Sequence, residues 1–185
     1  MPTPIAHALG GVTAGCLVGI SAALMTPGRV LAAPLARIER RRAIAALAFI
    51  GMLPDADLLV GMHRSVTHSA GAVLLAAALG WASVREGRLP TAAAVAAAYG
   101  SHVLLDWLGT DPSTPHGIMA WWPWTEEFYL SDQPLFMRIC REYWLPDCWR
   151  NNILALGREL VVLVPVTLAA LFFTVRLLPR RTRRP

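Results

Sequence analysis

Apolar residues are concentrated in five segments of the chain, separated by shorter stretches rich in proline, glycine and arginine. The segments are 5–25, 43–62, 70–84, 91–110 and 160–178, and Asp55 and Asp57 interrupt the second. A helix that crosses a bilayer needs about 20 apolar residues. The first and last segments meet this requirement, and the middle three are shorter or interrupted by polar residues. The pattern predicts an all-α, polytopic membrane protein, with five short helices bundled in a single domain over residues 1–185.

The composition of the chain excludes an ordinary soluble domain. Hydrophobic residues make up 55% of the 185 residues and charged residues only 16%, whereas soluble domains carry about 25% charged residues. A soluble domain of this size has no interior large enough to bury so much apolar surface. The chain is therefore expected to lie in a membrane, with lipids as its immediate partners.

The basic residues are distributed unevenly and predict the orientation of the chain. All seventeen are arginines, and twelve fall in regions that five helices would place on one side of the membrane. These twelve are Arg29, Arg37, Arg40, Arg41, Arg42, Arg85, Arg88, Arg176, Arg180, Arg181, Arg183 and Arg184. By the positive-inside rule this side is cytoplasmic, so residues 111–158 are expected outside. The net charge of +5 is a topology signal, because no basic face interleaved with aromatics indicates nucleic-acid binding.

Residues 111–158 differ in composition from the rest of the chain, being rich in proline, tryptophan and acidic residues. Trp121, Trp122 and Trp124 suit either the membrane–water interface or the aromatic mini-core of a folded loop. Cys140 and Cys148 lie in the same region, where they form either a disulfide or two unrelated thiols. We expect an extracytoplasmic loop region here.

Seven ionisable residues lie in or beside the apolar segments and are the candidates for a functional site. They are His7, Asp55, Asp57, His63, His68, His102 and Asp106. A single histidine on an apolar helix is most often a hydrogen-bonded core residue. An ionisable residue at membrane depth is costly, however, so seven of them together indicate a shared functional site.

The spacing of these residues predicts how they come together. His102 and Asp106 are four residues apart and project from one face of a helix. His63 and His68 are five apart and share no helical face, so they are expected on a non-helical turn or at different ions. With five helices, all seven candidates fall at the end of the bundle opposite the arginines. The site is therefore expected at the extracytoplasmic face.

The ligand types indicate which metals this site would hold. Imidazole and carboxylate ligands without thiolate favour zinc, with manganese or iron as alternatives. Seven candidate ligands exceed the needs of one tetrahedral ion, which predicts two ions. Two ions about 3.5–4 Å apart typically activate a water molecule and neutralise the charge that develops during phosphoester or amide hydrolysis. The site therefore predicts a metal-dependent hydrolase.

Several blocks of sequence carry a resemblance to a known family. They are His7, Leu53-Pro54-Asp55-Ala56-Asp57, His63-Arg64-Ser65-Val66-Thr67-His68-Ser69, Ser101-His102-Val103-Leu104-Leu105-Asp106, Thr114-Pro115-His116-Gly117 and Trp122-Pro123-Trp124. In their order, types and spacing, these blocks resemble the YdjM-like family of bacterial inner-membrane, metal-dependent hydrolases. The resemblance implies a location in the inner membrane and metal-ligand roles for the seven candidates. Ser65, where the family often has glycine, and His116 depart from the family pattern.

A second similarity is to the all-helical zinc phospholipase C and nuclease superfamily. In that superfamily, too, an N-terminal histidine, an aspartate, a histidine and an H-x-x-x-D pair follow one another around clustered zinc ions. This similarity implies that Glu159 is a further ligand. The alternative is that Glu159 is an acid at the N-terminus of the last helix.

Side chains close to the proposed ligands have more than one interpretation. Arg64 would either bind an anionic substrate group or form an ion pair with Asp55 or Asp57. Thr67 and Ser69 would orient the histidines by hydrogen bonds. Ser69 would alternatively cap a helix.

These features favour hydrolysis of a phosphoester in a lipid or lipid-linked substrate. Asp57 would move the proton and Arg64 would hold the phosphate, so both are predicted catalytic residues. A non-enzymatic metal binder, a divalent-cation transporter and a purely structural metal site are the alternatives. A transporter would place its site near the membrane midplane with access from both sides. The sequence identifies neither the substrate nor the oligomeric state.

Overall fold

The computed structural model describes residues 1–25, 40–59, 61, 63–112, 114–142 and 144–177. Within them the chain forms five α-helices and no β-strand, which confirms the all-α prediction. The helices are α1 (Pro4–Met25), α2 (Arg40–Met52), α3 (Ala70–Ala82), α4 (Arg88–Trp107) and α5 (Pro146–Leu177). A 3-10 helix, Leu53–Leu59, follows α2, and a 3-10 turn, Val66–His68, precedes α3. The arginines at 29, 37 and 180–184 lie outside the described residues.

Two of the predicted helix boundaries were wrong. The segment 43–62 is not one helix, because α2 ends at Met52 and the 3-10 helix follows. Pro54, at the second position of that 3-10 helix, has no amide hydrogen for an α-helical bond and so favours the break. The last helix begins at Pro146 instead of residue 160. Residues 146–158, predicted as loop, are helical but too polar for an apolar pattern to reveal.

Helix α1 lies at the centre of the bundle and packs against α2, α4 and α5. Helix α4 packs against α1, α2 and α3. A close approach joins α1 and α2, where a Cβ on Gly51 would lie 2.4 Å from the His7 carbonyl oxygen and 2.9 Å from Gly11 Cα. Glycine therefore allows the two helix backbones to touch, because any side chain at this position would clash with the neighbouring backbone. The core holds mostly small residues: Val12, Cys16, Leu47, Ala94, Ala98 and Ala170.

The outward faces of the helices are strongly apolar. Leu74, Leu75 and Leu79 of α3 are about three-fifths exposed, and Val161 of α5 is 76% exposed. Residues 4–21 of α1 and an 18-residue window within α5 are long and apolar enough to cross a membrane, by length and composition. Apolar surface of this extent is atypical of a water-soluble monomer, whereas a lipid environment stabilises it.

The region between α4 and α5 folds over the start of α3. The carbonyls of Ala120 and Trp122 accept hydrogen bonds from the Ala70 and Gly71 amides, at 2.8 and 2.9 Å. These contacts satisfy amides at the first turn of α3 that have no partner within the helix. Trp122 thus packs on the helix, as expected for a loop core. Trp121 and Trp124 are 56% and 66% exposed.

Candidate metal centre

Four of the seven candidate ligands converge at one end of the bundle. Asp55, His68, His102 and Asp106 each offer a ligand atom, and these atoms all lie within 4.8 Å of one another. His68, His102 and Asp106 are fully buried, whereas Asp55 is 23% exposed through its side chain. The four residues, named here the primary cluster, come from the 3-10 helix, the turn before α3 and the end of α4. Residues distant in sequence are therefore brought together only by the folded bundle.

The distances within the primary cluster fit one tetrahedral ion. His68 Nε2 and His102 Nε2 are 3.1 Å apart, and Asp106 Oδ2 lies 3.2 and 3.3 Å from them. Asp55 Oδ1 lies 3.7 Å from His68 Nε2 and 3.5 Å from His102 Nε2. Ligand atoms placed tetrahedrally around zinc, about 2.0–2.1 Å from the ion, are roughly 3.3 Å apart. The donor set therefore has the size and chemistry of a zinc site.

Hydrogen bonds fix the orientation of both imidazoles. His102 Nδ1 is 2.8 Å from the Gly51 carbonyl oxygen, which can only accept, so Nδ1 carries the hydrogen. His68 Nδ1 lies 3.2 Å from Asp57 Oδ2, an acceptor of the same kind. Each Nε2 then directs a lone pair toward the other. A cation or a proton between them is required to offset their repulsion, and acceptors behind ligating histidines are typical of metal sites.

His7 lies beside the primary cluster, on the opposite side of Asp106. Its Nε2 is 3.3 Å from Asp106 Oδ1, and its ring stacks on that of His102 with centroids 3.6 Å apart. Its Nδ1 is buried without a hydrogen-bond partner among the described residues. Asp106 thus directs one oxygen toward His68 and His102 and the other toward His7, an arrangement in which a carboxylate can bridge two ions.

Asp57 connects the remaining histidine to the cluster. Its Oδ1 lies 2.8 Å from His63 Nδ1, and its Oδ2 accepts a hydrogen bond of 2.5 Å from Thr67 Oγ1. Asp57, His63 and His68 form a second group that could hold a metal ion. His68, however, directs Nε2 into the primary cluster and leaves only Nδ1 for this group. Asp57 is therefore placed to orient two histidines. Thr67 Oγ1 lies 2.9 Å from His68 Nδ1, as predicted for a residue that orients this histidine.

The carboxylates of the cluster create a strong local preference for positive charge. Three carboxylates surround the His68 imidazole: Asp106 Oδ2 lies 3.2 Å from its Nε2, Asp55 Oδ1 lies 3.7 Å from the same atom, and Asp57 Oδ2 lies 3.2 Å from its Nδ1. A divalent cation would meet the same negative potential and displace the proton from His68.

Hydrogen bonds fix the turn between His63 and His68. Arg64 has a φ of 69°, a left-handed conformation that is uncommon for residues other than glycine. Its amide donates to Asp57 Oδ2 at 3.2 Å, and its carbonyl accepts from the Met119 amide at 3.0 Å. After the turn, Ser69 Oγ accepts from the Ala72 amide at 3.1 Å. Ser69 therefore caps α3, and its expected role in orienting the histidines is not observed.

A cavity of about 300 Å³ opens beside the primary cluster. Asp55 and His63 face it from the cluster side, and Leu58 lines its edge. Arg64, Arg138 and Arg141 line the walls. Asp55 belongs to both the cluster and the cavity, so a molecule in the cavity would reach an ion at the cluster.

Arg64 forms an ion pair, but not with the predicted partner. Its guanidinium contacts Asp111, and the two side chains are 11% and 5% exposed. Asp111 also accepts a hydrogen bond of 3.1 Å from the Gly117 amide. The predicted guanidinium pair with Asp55 or Asp57 is therefore replaced by a pair with Asp111, a residue that no sequence pattern singled out.

Glu159 and His116 lie apart from the metal ligands in the described structure. Glu159 is 1% exposed, and its carboxylate accepts hydrogen bonds from the amide and hydroxyl of Thr3. Its predicted place at the N-terminus of its own helix is wrong, because it lies well inside α5. It instead caps the start of α1, where a negative charge is favourable. His116 is exposed, with Nδ1 3.2 Å from the Asp111 carbonyl oxygen.

Cys140 and Cys148 are joined by a disulfide, with Cα atoms 5.4 Å apart. The bridge ties the cavity wall around residues 138–142 to the first turn of α5. Two side chains add to this tie. Asn151 Nδ2 donates to the Arg138 carbonyl at 2.9 Å, and Asn152 bonds both the amide and the carbonyl of Cys140.

Buried histidines and aspartates at the end of an apolar helical bundle define a membrane protein with a candidate metal centre. The chain belongs to the YdjM inner membrane protein family, whose model matches residues 1–181. The match confirms the family resemblance and extends it beyond the last of the matching blocks, Trp122-Pro123-Trp124. No curated protein matches the chain. No solved structure matches it either.

Proposed function

We propose that this protein is a metal-dependent hydrolase that cleaves a phosphoester of a lipid or lipid-linked substrate. The observation that carries the proposal is the meeting of the primary cluster and the arginine-lined cavity at Asp55. Zinc ions at such a cluster would lower the pKa of a water molecule and neutralise charge that develops on the phosphate. A purely structural site would be closed by protein, whereas Asp55 is 23% exposed toward the cavity.

The protein side chains would have three roles in this reaction. His68, His102, Asp55 and Asp106 would hold one ion, and His7 with the second oxygen of Asp106 would contribute to another. His63 faces the cavity with its Nδ1 on Asp57, so this pair would accept and return the proton. Arg64 would contribute positive charge to the cavity wall while it remains paired with Asp111.

The position of the site supports an outer-leaflet location within a multi-pass inner-membrane protein. Arg88 begins α4 and His102 lies fourteen residues later, which corresponds to about 21 Å along the helix. With the arginines at the cytoplasmic surface, the cluster would lie in the outer half of a hydrocarbon core about 30 Å thick. Exposed Leu59, 89% accessible next to the cavity-lining Leu58, would face lipid there.

The proposal is tested with purified, metal-loaded protein in detergent. We expect one or two zinc ions per chain and turnover of a phosphodiester, with both lost in Asp106→Ala. His63→Gln should retain its metal and lose turnover by a factor of about 10²–10⁴, the usual contribution of a general acid or base. Arg150→Gln, an exposed change on α5, is the matched control.

Two outcomes would replace the proposal. Zinc-loaded protein that hydrolyses nothing in phosphoester, peptide and acyl-ester panels, yet moves divalent ions into liposomes, would be a transporter. Zinc-loaded protein that does neither would be a metal binder. The exposure of the cluster toward one cavity favours the hydrolase over the transporter, whose site needs access from both sides.

A further inference from the structure

A second, wholly apolar groove runs along the membrane face of the bundle beside the cavity. It lies between α1 and α2 and has a volume of about 290 Å³. Its walls are formed by Pro4, Ile5, Ala8, Leu9, Val12, Ala48 and Met52. Pro4 lines the polar cavity as well. The groove and the cavity therefore meet at the first turn of α1, next to the primary cluster.

The cavity wall opposite this junction carries a net positive charge. Arg138 and Arg141 are exposed, and neither forms an ion pair in the described part of the chain. Arg64 is matched by Asp111, and Asp55 faces the cluster. Glu142 is the remaining acid on the cavity wall, with Oε2 3.3 Å from Cys140 Sγ. The disulfide and the two asparagines of α5 hold this wall in place, so little ordering is needed when it binds an anion.

The arrangement matches an amphiphile with a phosphate at one end. We propose, building on the hydrolase function above, that Arg138 and Arg141 bind the headgroup phosphate of a membrane lipid while one acyl chain lies in the α1–α2 groove. The scissile phosphoester then lies beside Asp55 and His63. The occupant of the groove is an acyl chain because the groove has only apolar walls, faces the lipid and continues into the phosphate-binding cavity. A water-soluble phosphoester would leave the groove without function.

The chain site is tested by binding of a tail-labelled fluorescent phosphatidic acid in dodecyl maltoside micelles. Ala48→Trp fills the groove from α2 and should weaken binding about tenfold or more, the usual cost of blocking an apolar pocket. The matched control is Ala45→Trp, an exposed alanine on the same helix outside the groove, which should bind as the wild type does. Ala8→Leu fills the groove from α1 with a smaller side chain. It replaces Ala48→Trp in the binding test if that variant fails to fold.

The headgroup site is tested with the same probe. Arg138→Gln and Arg141→Gln should each weaken binding roughly threefold to tenfold at low salt, with a smaller difference at high salt because exposed charges are screened. Arg150→Gln, on α5 outside the cavity, should leave binding unchanged. Inorganic phosphate should compete with the lipid headgroup only weakly, since it lacks the chain.

Binding and turnover separate this inference from the hydrolase proposal. Unchanged lipid binding in both groove variants overturns the inference, even if the protein cleaves a soluble phosphodiester. Loss of lipid binding in the groove variants alone supports it, even if no substrate is cleaved. If both activities are present, the ratio of turnover on the lipid to turnover on soluble bis(p-nitrophenyl) phosphate should fall in Ala48→Trp and stay constant in Ala45→Trp.

Discussion

Asp106 and Asp57 are both buried carboxylates, but the structure gives them different neighbours. Asp106 directs its two oxygens at three imidazoles, at 3.2–3.3 Å. Asp57 contacts the far nitrogen of His68 and the hydroxyl of Thr67. Sequence alone placed both among the ligands. The distances distinguish Asp106, which faces the primary cluster, from Asp57, which contacts the outer nitrogen of a histidine in that cluster.

This difference predicts unequal effects of two substitutions. Asp106→Ala should abolish zinc retention, because it removes the oxygens shared by the cluster. Asp57→Asn should keep the stoichiometry and weaken zinc affinity about 10–100-fold, as is usual for partners of ligating histidines. Competition with a chromogenic chelator measures both. Equal loss of zinc in the two variants would instead place Asp57 among the direct ligands.

The ion pair of Arg64 and Asp111 predicts a stability effect. Arg64→Met leaves the buried Asp111 carboxylate without this guanidinium and should cost of order 3 kcal/mol. Arg64→Met combined with Asp111→Asn removes both charges, keeps an acceptor for the Gly117 amide and should recover most of the loss. Thermal unfolding in detergent gives the comparison. If Arg64→Met instead keeps its stability and its zinc but loses turnover, the arginine acts on the substrate.

At the scale of the helices, the contact between α1 and α2 positions the residues of the candidate metal centre. The Gly51 carbonyl that orients His102 lies within the same close contact that brings Gly51 against the His7 carbonyl. Helix packing and ligand orientation thus depend on one residue. A change that separates the two helices would also move His102.

Two glycine substitutions test this dependence. Gly51→Ala would place a Cβ 2.4 Å from the His7 carbonyl oxygen, so it should lower the melting temperature and cost about 1–3 kcal/mol, with reduced zinc content. Gly157→Ala on α5 meets no atom within 4 Å and should stabilise the helix by up to about 1 kcal/mol. Similar melting temperatures and zinc contents in the two variants would contradict the close-contact argument.

The elements show how far the sequence predicts the structure. Apolar segments and the spacing of His102 and Asp106 predict the helices and one shared ligand face, because both depend on helical periodicity. The partners Gly51, Asp111 and Thr3 could not be predicted. Each contacts a residue at least 47 positions away, and no local pattern encodes such a contact. The polar first part of α5 was not predicted as helix, because the prediction relied on runs of apolar residues and this part has none.

At the scale of the whole molecule, helix order and charge predict the same orientation in the membrane. The described arginines Arg40, Arg42, Arg85 and Arg88 lie at the ends of α2, α3 and α4 that are remote from the metal centre. Helix α5 has 32 residues and a length of about 48 Å, more than a bilayer core requires. With the proposed orientation, its first part would therefore extend beyond the membrane on the side of the candidate metal centre.

Reporter fusions test this orientation. A periplasm-active reporter inserted at Ser131 should be active, and a cytoplasm-active reporter after Pro185 should be active, because the arginine-rich ends remain inside. The reverse reporters at each position serve as controls. A cytoplasmic signal at Ser131 would reverse the orientation and place the metal centre at the inner face.

The disulfide between Cys140 and Cys148 has a consequence for when the protein becomes competent. It closes the wall that carries Arg138 and Arg141, and bonds of this kind form in the periplasm and not in the reducing cytoplasm. With the proposed orientation, a newly made chain would reach the bilayer before this wall is covalently closed. Maturation would then depend on the enzymes that oxidise thiols in the periplasm. Before that step the protein would not cleave lipids on the cytoplasmic side, where it is synthesised.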